Sequence, residues 1–304
     1  MLESESIYKQ CLTAVMRRYL VTKTLKEQTT PSPDERAVSR HRDFRGKMQT
    51  ALKCPVSDYS DFAMWYTPGV AAACREIVIH PEEVDQLTNR ANSVAIVSDG
   101  TRVLGLGNIG PEAGLPVMEG KALLFKYLGG VDAVPLCIRP RSDDEFIAIV
   151  RSLEPTFGGI NLEDISQPQC FRILDALREQ MDIPVWHDDQ QGTATVTLAA
   201  LRNALTVVGK TITSVRIAMI GMGAANVATY RLLKKAGIDP SAIVACDSKG
   251  ILHRGRSDIE ATQSEYVDKW RVCQETNGDQ ITGGTAEALR GGMSVWHFRV
   301  QARR

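Results

Sequence analysis

From Ser93 onward the chain alternates short apolar runs with stretches of helical periodicity, and this alternation constrains its fold more than any other feature. Strands are predicted at 93–97, 102–106, 132–138 and 183–187. Helices are predicted at 119–129, 143–153, 168–181 and 192–208. Strands that alternate with helices favour a mostly parallel sheet covered by helices, so the chain is predicted to be an α/β protein.

A second α/β unit is predicted to begin near Thr213, and it contains a glycine turn. Residues 215–237 have the order strand, glycine turn, helix, and the next apolar run ends in an acid. Such a turn aims helix N-terminal amides at a pyrophosphate, and the acid can bind a ribose hydroxyl. The third glycine position is an asparagine, so a βαβ unit without a ligand stays the alternative. The predicted dinucleotide contacts are Gly221, Gly223, Ala224, Ala225, Asn226 and Asp247.

The region before the first predicted strand differs in texture. Residues 1–28 have helical spacing of apolar positions, and the proline-containing run 29–35 predicts a break. The basic patch 36–47 is interpreted as a solvated arm or a subunit contact. We therefore expect two domains, with a helical arm and substrate domain over 1–197 and a partial Rossmann-like domain over 198–304.

Composition excludes some classes of partner. Lys+Arg and Asp+Glu both number 36, so no basic excess favours nucleic acid or an anionic membrane surface. The seven cysteines are scattered without a C-x-x-C pair, which suits reduced thiols. The first residues do not resemble a secretory signal, and no apolar run is long enough to span a membrane. We expect a cytoplasmic protein.

Three acidic clusters follow predicted strands. They contain Asp99, the pair Glu163 and Asp164, and the pair Asp188 and Asp189. Open α/β sheets bind ligands beyond the carboxyl ends of their strands. Carboxylates gathered in one crevice repel unless a hard divalent cation joins them, so a metal site is predicted. Taken singly, each cluster could equally be surface acids or helix caps.

Two further residues suggest proton chemistry. Lys121 ends a glycine-rich stretch at the start of a predicted helix. A lysine near a divalent cation and shielded from water has a lowered pKa and can act as a base. Tyr66 precedes a Pro68-Gly69 turn, and a phenol held by neighbouring charges can donate a proton.

These segments together resemble the malic enzyme family, and most of all its compact bacterial members. The resemblance covers residues of about 44–260. It is carried by WYTPGVAAACREI (65–77), by the glycine-rich stretch from SDGTR to PLCI (98–138), by FGGINLEDISQPQCFRIL (157–174), by IPVWHDDQQGTATVTLAALRNAL (183–205) and by VACDSKGILHRGRSDI (244–259).

The resemblance implies oxidative decarboxylation of malate to pyruvate and CO₂, with reduction of NAD or NADP and a requirement for Mg²⁺ or Mn²⁺. The N-terminal helices could form a dimer contact, so we also expect a homo-oligomer, with a homodimer as its form. By position, Lys121 would be the general base and Tyr66 the general acid, with Asp188 orienting a metal ligand or Lys121. The resemblance implies a set of ligands for substrate and metal: Arg102 and Asn108 for malate, and Glu163, Asp164 and Asp189 for the metal.

Several alternatives stay open. Asp247 favours NAD, whereas Lys249 could meet the 2′-phosphate of NADP. Because relatives continue past this chain, we expect a truncated nucleotide domain with two convincing strands, low stability, weak cofactor affinity and impaired turnover. A non-catalytic remnant that keeps the metal site or a subunit interface is therefore one alternative. A metal-independent amino-acid dehydrogenase is another, disfavoured by the acidic clusters. His187 is expected to orient its neighbours rather than bind metal.

Overall fold

The computed structural model describes residues 32–290 and the backbone of 294–297. The chain divides into two compact units, 1–47 and 48–304. In the first unit, helix α1 spans Pro33–Phe44, and Ser32 caps it by accepting a hydrogen bond from the Glu35 amide. Because a proline in the first turn costs no hydrogen bond, the helix begins at Pro33, inside the run 29–35 where a break is predicted. The helix predicted at 1–28 lies outside the described residues.

The first sheet has four parallel strands in the order β2-β1-β3-β4. The strands are β1 Ser93–Ser98, β2 Asp132–Cys137, β3 Gly159–Leu162 and β4 Val185–His187. The α/β class is confirmed. Strand β3 is buried along its whole length, as expected for an inner strand of a parallel sheet covered on both faces.

Helices connect these strands and precede them. Short helices α2 Phe62–Trp65, α3 Val70–Ile79 and α4 Val84–Leu87 lead into the sheet. The crossover helices are α5 Gly110–Gly129, α6 Asp143–Arg151 and α7 Gln169–Gln180. A π-helical turn at Asp188–Gly192 then leads into α8 Thr193–Val207. The four helices predicted between residues 119 and 208 are confirmed, although α5 begins earlier than predicted because Pro111 is well suited to a first helical turn.

The strand predicted at 102–106 is wrong. Val103 forms only an isolated bridge with Gly107, and its amide donates to the Gly107 carbonyl at 2.9 Å. Leu104 has a φ of 48°, in the left-handed region that a strand excludes. The apolar residues of this segment therefore lie in a tight loop between β1 and α5.

The second sheet has the order β7-β6-β5-β8. Its strands are β5 Ile217–Ile220, β6 Ile243–Asp247, β7 Gly250–Ile251 and β8 Ser294–His297. Both β6 and β8 pair with β5 in parallel. The expectation of only two strands here is wrong, since the backbone of 294–297 supplies a further parallel strand. The helices are α9 Ala224–Lys235, α10 Ser257–Glu260, α11 Val267–Glu275 and α12 Thr285–Leu289.

One apolar core extends through both sheets. It includes Leu162 on β3, Ile217 on β5, and Leu201 and Leu205 on α8. Helix α8 therefore packs its buried face between the sheets, as its small and apolar residues predict. The predicted domain boundary at 197/198 falls inside α8 and stays a prediction. Within residues 32–290, no helix is long and apolar enough to cross a membrane.

Candidate active site

Lys121 lies between two carboxylates at the carboxyl ends of β3 and β4. Its Nζ is 3.1 Å from Glu163 Oε1 and 2.7 Å from Asp188 Oδ2. Helix α5 supplies the lysine, the loop after β3 supplies Glu163, and the π-helical turn after β4 supplies Asp188. Three segments far apart in sequence thus meet where parallel sheets bind ligands.

Glu163 and Asp164 are both buried, with 5% of each residue exposed. Burial raises the pKa of Glu163 to about 7, against the opposing charge of Lys121 and a 2.9 Å hydrogen bond donated by Asn161 Nδ2. Burial and the charge of Asp189 raise the pKa of Asp164 to about 6. A raised carboxyl pKa means that these anions are under-compensated by the protein around them.

Asp189 is held next to Asp164 by the backbone. The Asp164 amide donates to Asp189 Oδ2 at 3.0 Å. Burial nevertheless raises the pKa of Asp189, while the charges of Lys121 and Arg102 act in the opposite direction. The Arg102 amide donates to the Asp164 carbonyl at 3.0 Å, which ties the loop after β1 to the acidic loop after β3. The Arg102 side chain is exposed at this point.

The donor chemistry of this group fits a hard divalent cation. Asp164 Oδ2 is buried and has no hydrogen-bond partner among the described residues, a state that costs free energy unless another positive group satisfies it. Carboxylate oxygens are the ligands that Mg²⁺ and Mn²⁺ prefer. Across residues 32–290, however, no three His, Cys, Asp or Glu side chains are arranged closely enough to hold a metal ion. The structure therefore supports the ligand type without defining a coordination shell.

The pKa of Lys121 is shifted in the direction opposite to the one predicted. Burial disfavours its charge, but Glu163 and Asp188 outweigh that effect and raise its pKa above the ordinary value. The predicted lowering depends on a nearby cation, and the protein groups alone act in the opposite direction. With these contacts, the lysine is protonated at neutral pH.

The other predicted residues occupy varied positions. Tyr66 is 70% exposed on the loop after α2, and among described residues no hydrogen bond joins its hydroxyl to Lys121 or the carboxylates. Asn108 is exposed on the loop before α5. Asp99 accepts hydrogen bonds from Thr101 at 3.0 and 2.6 Å, so it closes a local turn. His187 is completely buried, and burial lowers its pKa to about 4.

The glycine turn has the geometry that the sequence predicts. Gly221 has a φ of 91°, which favours glycine, and its amide donates to the Cys246 carbonyl at 2.8 Å. Gly223 caps α9, and Ala224 begins it. Asn226 Nδ2 donates to the carbonyls of Ile220 at 3.1 Å and Gly221 at 2.7 Å. The asparagine thus fastens helix to turn at the position where the motif has glycine.

Asp247 ends β6 as predicted, but its carboxylate has partners already. Only 8% of its side chain is exposed, and it pairs with Arg256 at 3.0 Å and Lys269 at 2.6 Å. These cations keep the pKa of Asp247 below its ordinary value, although burial alone would raise it. Arg256 also pairs with Asp258, which in turn contacts Lys249 at 3.2 Å. The predicted 2′-phosphate partner, Lys249, is therefore tied into the same network.

Sequence reasoning missed the residues that support this site. Asn161 lies two positions before Glu163, so strand alternation could have placed both on one face. Arg256 and Lys269 carry no local signal that distinguishes them from other surface cations. Their role follows only from contacts across the fold.

Comparison with known proteins supports one family throughout. The family profile described as "Malic enzyme, N-terminal domain" matches residues 45–143 and 139–178. The profile described as "Malic enzyme, NAD binding domain" matches residues 190–287. The chain is 46% identical over 246 residues to the NAD-dependent malic enzyme of Geobacillus stearothermophilus, covering 81% of this chain and 50% of that protein. It is 48% identical over 255 residues to the bifunctional malic/malolactic enzyme of Bacillus subtilis, covering 84% and 60%.

Solved structures agree with this. The NAD-dependent malic enzyme of Thermotoga maritima is 45% identical with a TM-score of 0.77, and the match covers 84% of this chain and 66% of that one. The malic enzyme of Pyrococcus horikoshii is 45% identical with a TM-score of 0.78, covering 86% and 63%. The chain spans 50% and 60% of the length of the two curated relatives named above. Profiles, relatives and fold agree, and the chain belongs to the malic enzyme family.

Proposed function

We propose that this chain catalyses oxidative decarboxylation of malate to pyruvate and CO₂, with reduction of NAD or NADP and dependence on a divalent metal. The observation that carries the proposal is the position of Lys121 Nζ, within 3.1 Å of both Glu163 and Asp188 at the ligand-binding end of the first sheet. A glycine turn suited to a dinucleotide follows on the second sheet. The first sheet would thus supply the site for the small anion and the second sheet the site for the dinucleotide, both within the unit 48–304.

Each residue of the proposed site has its own role in the reaction. The exposed Arg102 guanidinium can grip a malate carboxylate with two parallel hydrogen bonds. Lys121, once deprotonated, would accept the proton of the C2 hydroxyl as the C2 hydride leaves for a bound NAD or NADP, whose pyrophosphate the turn at Gly221 would hold. Loss of CO₂ would then leave the enolate of pyruvate, and Tyr66 would donate its hydroxyl proton to C3 of that enolate. Each positioned acid or base contributes about 10²–10⁴-fold to such a rate.

A bound Mg²⁺ or Mn²⁺ would supply Lewis acidity at the C2 oxygen and stabilise negative charge during decarboxylation. Glu163, Asp164 and Asp189 would hold it, and Asp188 would orient Lys121. Support for this assignment comes from the orphaned Asp164 Oδ2 and the raised pKa values of Glu163 and Asp164.

We also propose that the chain works as a homodimer. Tyr66 is 70% exposed, and helices α2 and α3 beside it contain no buried residue. Several of their large apolar side chains are more than 45% exposed: Phe62, Met64, Trp65, Val78 and Ile79. Exposed apolar surface of this extent is typical of a protein interface. Analytical ultracentrifugation showing a monomer at all concentrations would count against this proposal.

Paired lysine variants of α5 test the catalytic assignment. Lys121→Met removes the base, whereas Lys126→Met removes a lysine of the same helix whose partner is Asp132, away from the carboxylates. With malate, Mn²⁺ and either dinucleotide, we expect Lys121→Met to reduce kcat by about 10²-fold or more and Lys126→Met to keep it within about twofold. Equal losses in both variants would remove Lys121 from the mechanism.

Chelation separates the proposal from its alternatives. EDTA should abolish malate turnover, and Mn²⁺ should restore it. Turnover of an amino acid that persists in EDTA would instead favour a metal-independent dehydrogenase. Tight binding of Mn²⁺ by a chain that never turns malate over would favour a non-catalytic relative.

A further inference from the structure

Arg231 links the two halves of the candidate site. It lies on α9, the helix that follows the glycine turn. Its Nη1 and Nη2 donate to the two carboxylate oxygens of Asp175 on α7, each at 3.0 Å. Nη2 also donates to Asp268 Oδ1 on α11 at 2.8 Å. One guanidinium therefore joins helices that cover different sheets.

Both bridged helices lead to residues of the proposed site. Helix α7 begins at Gln169, just after the loop that carries Glu163 and Asp164. On α11, Asp268 is followed by Lys269, whose Nζ pairs with Asp247 at 2.6 Å. Arg231 and its two aspartate partners therefore connect α7, which follows Glu163 and Asp164, to α11, whose Lys269 pairs with Asp247 at the end of β6.

Two cavities adjoin Arg231. The residue lines one of about 300 Å³ and another of about 730 Å³. Its guanidinium also lies 5.6 Å from the ring centroid of Phe171 on α7, a distance suited to a cation–π contact. The apolar core includes residues of α7, α9 and α11 as well as of α8, and Arg231 adds a polar contact among the first three of these helices. Its side chain is 28% exposed; Asp268 is largely buried, and the half-exposed Asp175 is held in the bidentate geometry in which a surface ion pair contributes most.

We propose that Arg231 is a positioning residue: it fixes α7 against α9 and α11 and thereby sets the distance between the nicotinamide and the C2 carbon of the substrate. A planar guanidinium suits this role because it can grip Asp175 with both oxygens and still reach Asp268. Lysine, a point charge, cannot make the same bidentate bridge. The catalytic part of this inference rests on the proposed function, while the structural bridge stands independently of it.

Hydrogen exchange of the full chain tests the bridge without any substrate. R231M should accelerate amide exchange about tenfold or more in both 169–180 and 267–275, and leave strand 93–98 protected. The matched control is R216M, which breaks a 2.7 Å pair with Asp279 and should leave both helices unchanged. Unchanged exchange of either helix in R231M would overturn the bridge. Should R231M not fold, D175N, which removes only the α7 side, should accelerate exchange in 169–180 alone, and unchanged exchange there would overturn the bridge.

Kinetics test the positioning role. In R231M we expect kcat for malate to fall about fivefold or more, while the Kd of the dinucleotide changes less than about twofold. The isotope effect with 2-deuterated malate should rise as hydride transfer becomes slower. R231K should show the same pattern, because it keeps the charge and loses the bidentate grip. An unchanged kcat in R231M refutes the positioning role. If the unsubstituted chain lacks turnover, the proposed function fails while the exchange experiment still decides on the bridge.

Discussion

Replacing Gly192 with alanine separates two opposite effects of one methyl group. Gly192 precedes α8 with φ −58° and ψ −57°, a conformation open to any residue. Helix propensity alone predicts that Gly192→Ala stabilises the fold by about 0.5–1 kcal/mol. However, a Cβ at this position would lie 2.5 Å from Asp188 Oδ1, whereas ordinary contact begins near 3.4 Å. Asp188 would have to move by about 0.9 Å, and the same carboxylate holds Lys121 Nζ at 2.7 Å.

The steric effect should offset the helix gain. The overlap is with the end of the flexible Asp188 side chain, so it is relieved by moving that carboxylate, and the cost is chiefly the weakened contact with Lys121. A partly exposed ion pair contributes about 1 kcal/mol, so after the helix gain is included we expect a net loss of about 0–0.5 kcal/mol in the free energy of unfolding. Displacement of a group that orients the base should also reduce malate turnover by about 10²-fold.

Urea denaturation followed by far-UV circular dichroism measures the first effect, and steady-state kinetics measures the second. Gly120→Ala is the matched control, since a Cβ at Gly120 on α5 meets nothing within 4 Å. That variant should gain about 0.5–1 kcal/mol. If Gly192→Ala were as stable as Gly120→Ala and kept full turnover, the confinement of Asp188 would be refuted.

Two further predictions concern other parts of the fold. Hydrogen bonds donated to the Asp132 carboxylate, above all the one from Lys126, lower its pKa from 3.8 to about 2. The contribution of Asp132 to the free energy of unfolding is therefore complete above pH 4 and is lost as the pH falls towards 2. Asp132→Asn should therefore reduce the free energy of unfolding by about 1 kcal/mol at pH 7 and by nearly nothing at pH 2; a pH-independent difference would contradict this. Asn226→Ala removes both hydrogen bonds to the Gly221 turn and should cost about 1–3 kcal/mol and weaken dinucleotide binding, measured by calorimetric titration. Unchanged affinity and stability would show that the turn holds without it.

Local pattern predicted most of the first sheet. The runs at 93–97 and 132–138 form strands β1 and β2, and the periodic stretches at 119–129 and 143–153 correspond to helices α5 and α6. The prediction failed at 102–106, where an apolar run folds into a loop because Leu104 adopts a left-handed conformation. It failed again in the second sheet, where two convincing strands were expected and the backbone of 294–297 also pairs with β5. In both places the pairing partner, rather than the local sequence, decides the outcome.

By itself, the sequence determined the α/β class, the malic enzyme family, and the residue types of the site, because strand periodicity, glycine turns and clustered acids are local signals. Only the tertiary structure decided that Lys121 contacts Glu163 and Asp188, that Asp247 is held by Arg256 and Lys269, and that Arg231 bridges α7 and α11. It also decided the sign of the Lys121 pKa shift, which depends on burial and on the charges that surround the side chain. Electrostatic energies depend on distances between groups remote in sequence, and those distances exist only once the chain has folded.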